Sequence, residues 1–154
     1  MDFTDPAVAR GLRVVNDGVM GGVSRSMLQD DPEGVVFSGI VSLENNGGFA
    51  SMRGPAAFPA GTAALRLTAR GDGKRYKLIL RTDPDPRSPI HQCDFDAGDW
   101  HDHRFTPGDF KATFRGRDVA APPLEFAQVV EFGILIADKQ AGAFRIQLKT
   151  LRTD

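Results

Sequence analysis

The run Ala64-Leu65-Arg66-Leu67-Thr68-Ala69-Arg70-Gly71-Asp72-Gly73-Lys74-Arg75-Tyr76-Lys77-Leu78-Ile79-Leu80-Arg81 sets the class of the fold. On either side of Gly71-Asp72-Gly73-Lys74, apolar and polar residues alternate with the period of a strand that buries one face. Asp-Gly between two such runs predicts a hairpin, because the tight turn needs a positive φ. In that register Leu65, Leu67 and Ala69 share one face with Tyr76, Leu78 and Leu80. Arg66, Arg70, Arg75, Lys77 and Arg81 then form a basic face opposite.

The same texture continues in both directions. Downstream, the proline-spaced loop at 83–89 cannot be a central strand. A second hairpin is expected from Ile90–Phe95 and Trp100–Phe105 around Asp96-Ala97-Gly98-Asp99. Phe110–Arg117 follows, then one helical turn within Leu124–Val130, and two final strands at Val130–Ile136 and Phe144–Lys149. In the last, Phe144, Ile146 and Leu148 should point inward and Arg145, Gln147 and Lys149 outward. Upstream, residues 7–15 read as a helical turn or the entry to a first strand. Val23–Gln29, Val35–Leu43 and Phe49–Arg53 read as strands. Eight or so short strands, regular turns and no long helix predict an all-β antiparallel sandwich, organised as one domain over residues 1–154.

With 154 residues, 41% hydrophobic and 25% charged, the chain has the make-up of a globular domain. A formal net charge of −1 argues against binding nucleic acid or anionic membrane through the molecule as a whole. Cys93 is the only cysteine, so no intrachain disulfide can form, which suits a reducing compartment. The start has neither a secretory signal nor an organelle presequence, and no apolar run approaches the ~20 residues of a membrane helix. A cytoplasmic location without direct membrane insertion is expected.

All three histidines and the cysteine lie in His91-Gln92-Cys93 and Asp99-Trp100-His101-Asp102-His103. Zinc needs such ligands to converge, but the spacing matches no zinc signature, and a pairing of Phe95 with Trp100 would put the two histidine-bearing faces on opposite sides. Ordinary strand histidines are the favoured reading. There is no G-x-S-x-G elbow, Ca²⁺ loop or phosphate-binding glycine loop. No catalytic residue, metal or cofactor is therefore expected. Phe114-Arg115-Gly116-Arg117 is more suggestive, since glycine between two arginines leaves room for a carboxylate ligand. Even there, an internal ion pair with Asp17 or Asp138 is the default reading.

The distinctive strings are Val15-Asn16-Asp17-Gly18-Val19-Met20-Gly21-Gly22-Val23-Ser24 and Asn45-Asn46-Gly47-Gly48-Phe49-Ala50-Ser51-Met52-Arg53. With Phe37-Ser38-Gly39, Arg70-Gly71-Asp72-Gly73, Phe114-Arg115-Gly116-Arg117 and Gly133 to Gln140, they resemble the complex I intermediate-associated protein family over almost the whole chain. The resemblance implies a jelly roll like that of galactose-binding domains. It also implies an assembly chaperone for respiratory complex I (NADH:ubiquinone oxidoreductase) rather than an enzyme. Without a presequence the chain looks like a bacterial stand-alone member, and Leu12 stands where relatives often have tryptophan. The expected partners are protein clients such as respiratory-complex subunits or assembly intermediates, through which the protein would reach the inner membrane; nucleic acid is not expected. The expected recognition corner is Asp17, Asn46, Arg53, Arg115, Arg117 and Gln140, the same residues being equally suited to tying turns together. The alternative function is a carbohydrate-binding module, with Trp100 and Tyr76 as the aromatics available for sugar stacking, and a small-molecule or sugar ligand in place of a client.

Overall fold

The computed structural model describes residues 1–154. A short helix α1 (Pro6–Ala9), started by proline and capped by the Asp5 carboxylate, precedes twelve strands. These are β1 (Arg13–Asn16), β2 (Arg25–Gln29), β3 (Val35–Val41), β4 (Ala50–Pro55), β5 (Leu65–Gly71) and β6 (Arg75–Arg81). Then come β7 (Ile90–Asp96), β8 (His101–Phe105), β9 (Lys111–Phe114), β10 (Arg117–Asp118), β11 (Glu131–Ile136) and β12 (Gly142–Thr153). Two antiparallel sheets face each other, one in the order β1-β4-β11-β6-β7-β9-β10 and the other β2-β3-β12-β5-β8. The all-β antiparallel sandwich expected from the sequence is the observed architecture. The turn expected within Leu124–Val130 is a 3₁₀ turn at Phe126–Gln128. No helix is long and apolar enough to cross a membrane.

Alternation predicted which side chains are buried. Leu65, Leu67 and Ala69 from one sheet and Tyr76, Leu78 and Leu80 from the other lie in a core cluster of 26 buried residues. Their pairing is a different matter. β5 pairs with β12 and β8, whereas β6 pairs with β11 and β7, so the expected hairpin is a crossover between sheets. The second expected hairpin is also a crossover, with β7 and β8 in opposite sheets.

The two crossovers are bonded to each other. Gly71 N donates to Gly98 O at 2.8 Å, Gly73 N to Ala97 O at 2.6 Å, and Ala97 N to Lys74 O at 3.1 Å. Asp72 pins the corner by accepting from Tyr76 Oη (3.0 Å) and from Arg145 N in β12 (2.9 Å). Gly73 does take the positive φ of 86° that Asp-Gly suggests, but the turn delivers the chain to the other sheet. One basic face therefore does not form. Arg66 and Arg70 stand on the outside of the five-stranded sheet, and Arg75, Lys77 and Arg81 on the outside of the seven-stranded one.

One further expectation needs correction. Gln147 was expected outside but is fully buried, with its Nε2 donating to Asp31 Oδ1 (3.1 Å) and its Oε1 accepting from Arg70 Nε (2.9 Å). The pairs His91/Cys93 and His101/His103 sit on different sheets, and no group of three His, Cys, Asp or Glu side chains is close enough to share a metal ion. His103 instead packs its ring on Phe95, with centroids 4.9 Å apart.

The last two strands are the central ones. β11 lies between β4 and β6, and β12 between β3 and β5. Beside them β2 crosses close to β3, where Gly39 opposes Ser26. A Cβ at Gly39 would sit 2.1 Å from Arg25 O and 2.7 Å from Ser26 Cα, both backbone atoms that no rotamer change can move. Gly39→Ala should therefore lower stability by about 3 kcal/mol, read as a shift in the urea midpoint at unchanged slope.

Candidate functional site

The two Asn/Gly-rich strings meet around one carboxylate. Asp17 opens a 3₁₀ turn that ends on Gly21 at φ 85°. Its side chain is fully buried and accepts from Ser24 N (2.9 Å), Ser24 Oγ (2.5 Å), Gly48 N (2.7 Å) and Phe49 N (3.3 Å). Ser24 Oγ in turn accepts from Ser42 N at 2.9 Å. A Cβ at Gly22 would come within 2.4 Å of Asp17 Cγ, and one at Gly47 within 2.6 Å of Asp17 Oδ2. Glycine at these two positions makes room for the carboxylate. Burial alone would raise the Asp17 pKa, but the donors from Ser24, Gly48 and Phe49 outweigh it and hold the carboxyl below its usual range.

This bracket presents its tip to solvent. Val19 and Met20 are 76% and 65% exposed, held there by a turn that the buried carboxylate keeps in place. Asn45 and Asn46 follow with φ of 56° and 58°, left-handed values that asparagine tolerates. Asn46 is exposed and turn-forming.

Beyond Met20 and Phe49 a groove of about 480 Å³ runs across the outer face of the seven-stranded sheet. Its floor takes outward-facing residues from successive strands: Arg53 of β4, Leu135 of β11, Lys77 and Arg81 of β6, Gln92 of β7 and Thr113 of β9. Arg53, Gly133, Ile79 and Gln92 form one cross-strand row, and Gly133 contributes no side chain to it. One wall is the two-residue β9–β10 turn, in which Arg115 (φ 51°) and Gly116 (φ 78°) take the left-handed values such a turn requires.

The charges in the groove are unevenly neutralised. Lys77 lies 2.7 Å from Asp94 and 3.0 Å from Asp138. Burial opposes its charge, yet hydrogen bonds from those two carboxylates raise its pKa. Arg81 shares Glu131 with Arg13, at 3.6 and 2.8 Å, and Lys111 reaches Asp118 at 3.5 Å. Arg53 has only Nε donating to Ser51 Oγ, at 3.2 Å. Burial first, then the positive charges of Arg81 and Arg13, lower its pKa against the opposing pull of Glu131, although a guanidinium stays protonated at neutral pH. The guanidinium of Arg115 lies over the Phe114 ring, 5.3 Å from its centroid. Thr113 Oγ1 donates to Gln92 Oε1 at 3.1 Å.

Of the six residues expected to form one corner, the structure brings Arg53 and Arg115 together in the groove. Asp17 is buried in its bracket, and Arg117 is exposed on β10 outside the groove lining. Gln140 clamps the β11–β12 connection to β6, with Nε2 donating to Arg75 O (2.7 Å) and Ala137 O (3.0 Å) and Oε1 accepting from Arg75 N (3.1 Å). Neither arginine of Arg115-Gly116-Arg117 pairs with Asp17 or Asp138; Asp138 is taken by Lys77. Lys77, Arg81, Gln92 and Thr113 went unnoticed as a set because only cross-strand register assembles them. The two aromatics considered for sugar stacking are not free. Tyr76 is fully buried, and Trp100 has Arg70 and Lys149 over its ring at 4.9 and 5.8 Å.

The family model described as Complex I intermediate-associated protein 30 matches residues 1–148. No curated protein matches the chain. Among solved structures, the chain is similar to the family 11 carbohydrate-binding module from Clostridium thermocellum in complex with a β-1,3-1,4-mixed-linked tetrasaccharide, at 10% identity and TM-score 0.56, over 93% of this chain and 86% of that one. The family 11 module of the cellulase Lic26A-Cel5E of that organism gives 10% identity and TM-score 0.56 over 94% and 87%. The agarase AgWH50C gives 10% identity and TM-score 0.54 over 100% of this chain and 24% of the enzyme. Likeness at such identity establishes a shared jelly-roll fold and nothing about ligands.

Asn at position 17 can accept fewer of these hydrogen bonds and would aim an amide at backbone N–H groups. Asp17→Asn should cost on the order of 3 kcal/mol at neutral pH. Because the folded carboxyl titrates below its unfolded value near 3.8, the stabilisation is complete above that pH and is lost as pH falls through the folded value. Urea titrations of both proteins across pH 2 to 7 should show the gap between them closing on the acid side.

Proposed function

This chain belongs to the complex I intermediate-associated protein 30 family, and on that footing we propose that it is a non-enzymatic binding protein that holds a polypeptide client during assembly of respiratory complex I or a related membrane-associated complex. The observation that carries the reading is the family match, which extends over residues 1–148 and so includes both strings that build the Asp17 bracket and every strand that lines the groove. Residues 1–154 act in this reading as one binding domain. Its client-facing surface is the groove on the seven-stranded sheet, which Arg53 and Arg115 both line. Contact with the membrane complex is made through the client.

A binding role also fits the reactive groups. The Cys93 thiol is pushed up to about 11, by burial first and by Asp109 and Asp94 next. It is therefore a protonated, weak nucleophile at neutral pH. Burial lowers the pKa of His91 and, joined by the neighbouring His101, that of His103.

The carbohydrate-binding reading draws on the same groove, whose open cleft offers Gln92 and Thr113 as polar groups to a sugar. It loses support from the two stacking aromatics, one buried and one covered by cations.

An affinity-tagged chain, expressed in its own organism and purified from detergent-solubilised membranes, should recover complex I subunits. Deleting the gene should change the assembly intermediates seen on native gels. Recovery of no respiratory subunits, with unchanged intermediates, would defeat the assembly reading. A glycan array with specific hits would favour the sugar alternative.

A further inference from the structure

We propose that the groove binds an acidic, extended segment of the client, with its carboxylates on Arg53 and Arg115 and an adjoining apolar side chain against Met20, Phe49 and Phe114. The proposal rests on the protein-client reading above and specifies the chemistry of what is recognised.

Charge bookkeeping within the groove singles out these two arginines. Lys77, Arg81 and Lys111 each have a carboxylate within 4 Å. Arg53 and Arg115 have none, and neither terminal nitrogen of Arg53 makes a hydrogen bond within the protein. The one buried side-chain polar atom without a partner is His103 Nε2, so those nitrogens are not sealed inside the protein and can reach a ligand. Arg53 also carries a penalty that an anion would relieve, because it is half-buried beside the positive Arg13 and Arg81, which already share one carboxylate. A planar guanidinium in that setting suits bidentate contact with a carboxylate.

The rest of the lining decides the kind of anion. A volume of about 480 Å³ holds a few side chains of an extended chain. Phe49, Phe114, Leu135 and Ile90 supply apolar surface beside the arginines, which suits carboxylates interspersed with hydrophobic side chains. Only two cations of the groove lack a carboxylate partner, too few to track a phosphate backbone even with Phe49 and Phe114 beside them. The remaining lysine and arginine charges are internally paired, and the chain has a formal net charge of −1. That leaves little long-range attraction for an anionic bilayer.

Fluorescence anisotropy with a short labelled peptide of glutamates interspersed with leucines tests this on the intact chain. Binding should weaken with salt and vanish for the same peptide with glutamine in place of glutamate. Arg53→Gln and Arg115→Asn should each weaken it about tenfold or more, Asn being chosen because it tolerates the left-handed backbone at 115. Arg117→Gln, outside the groove, should leave it unchanged. Thermal melts separate ligand binding from folding: removing Arg53 relieves repulsion from Arg81 and Arg13 and gives up attraction to Glu131, so Arg53→Gln should melt close to wild type. Peptide affinity unaffected by Arg53→Gln and Arg115→Asn overturns the proposal. So does binding of phosphatidylglycerol vesicles or oligogalacturonide in place of the peptide. If wild type captures complex I subunits and the double variant captures them equally well, the client reading stands and this site falls. If wild type captures none, the client reading itself falls.

Discussion

One buried carboxylate holds the most distinctive part of this molecule together. Removing Asp17 from water is costly, and the cost is offset because each oxygen accepts from groups that would otherwise be unpaired in the loops: two backbone N–H groups of the second Asn/Gly string, one of the first, and the Ser24 hydroxyl. The glycines around it have different reasons to be there. Gly21 supplies a left-handed turn, whereas Gly22 and Gly47 are small because the carboxylate occupies the space a Cβ would take. Phe49 and Met20, which flank the groove, hang from this bracket, so the position of the groove wall depends on it.

The opposite sheet face shows how register distributes charge. Along the row Ser51, Leu135, Lys77 and Asp94, the lysine meets its carboxylate on the next strand. In the row that contains Arg53 the neighbouring position is Gly133, followed by Ile79. No side chain in that row can answer the guanidinium. The sheet thus neutralises most of its cations and leaves one on its floor without a carboxylate.

What the amino-acid sequence revealed, and what it concealed, follow from the same physics. Alternation reports burial, and it named the inward faces of β5, β6 and β12 because both sheets present those faces to one core. It carries no information about which strand lies alongside. Asp72-Gly73 makes a real positive-φ turn, but whether that turn closes a hairpin or moves the chain to the other sheet is decided by remote groups, here Arg145 N and the 96–99 corner. Gln147 keeps the outward face that alternation assigns it, opposite Arg70 of β5, and is buried there because Arg70 and the loop at Asp31 cover and satisfy its amide. The site was half legible. Arg53 and Arg115 stood out within recognisable strings, while Lys77, Arg81, Gln92 and Thr113 are spread over three strands and become neighbours only through long-range pairing.

The central placement of β11 and β12 bears on how the chain is made. These strands leave the ribosome after the other ten, yet each sheet needs one of them as its middle member. Until they emerge, β3 and β5 in one layer and β4 and β6 in the other expose unpaired edges toward a gap one strand wide. Such edges are templates for wrong pairing. The nascent polypeptide therefore cannot complete either sheet until β11 and β12 have both emerged.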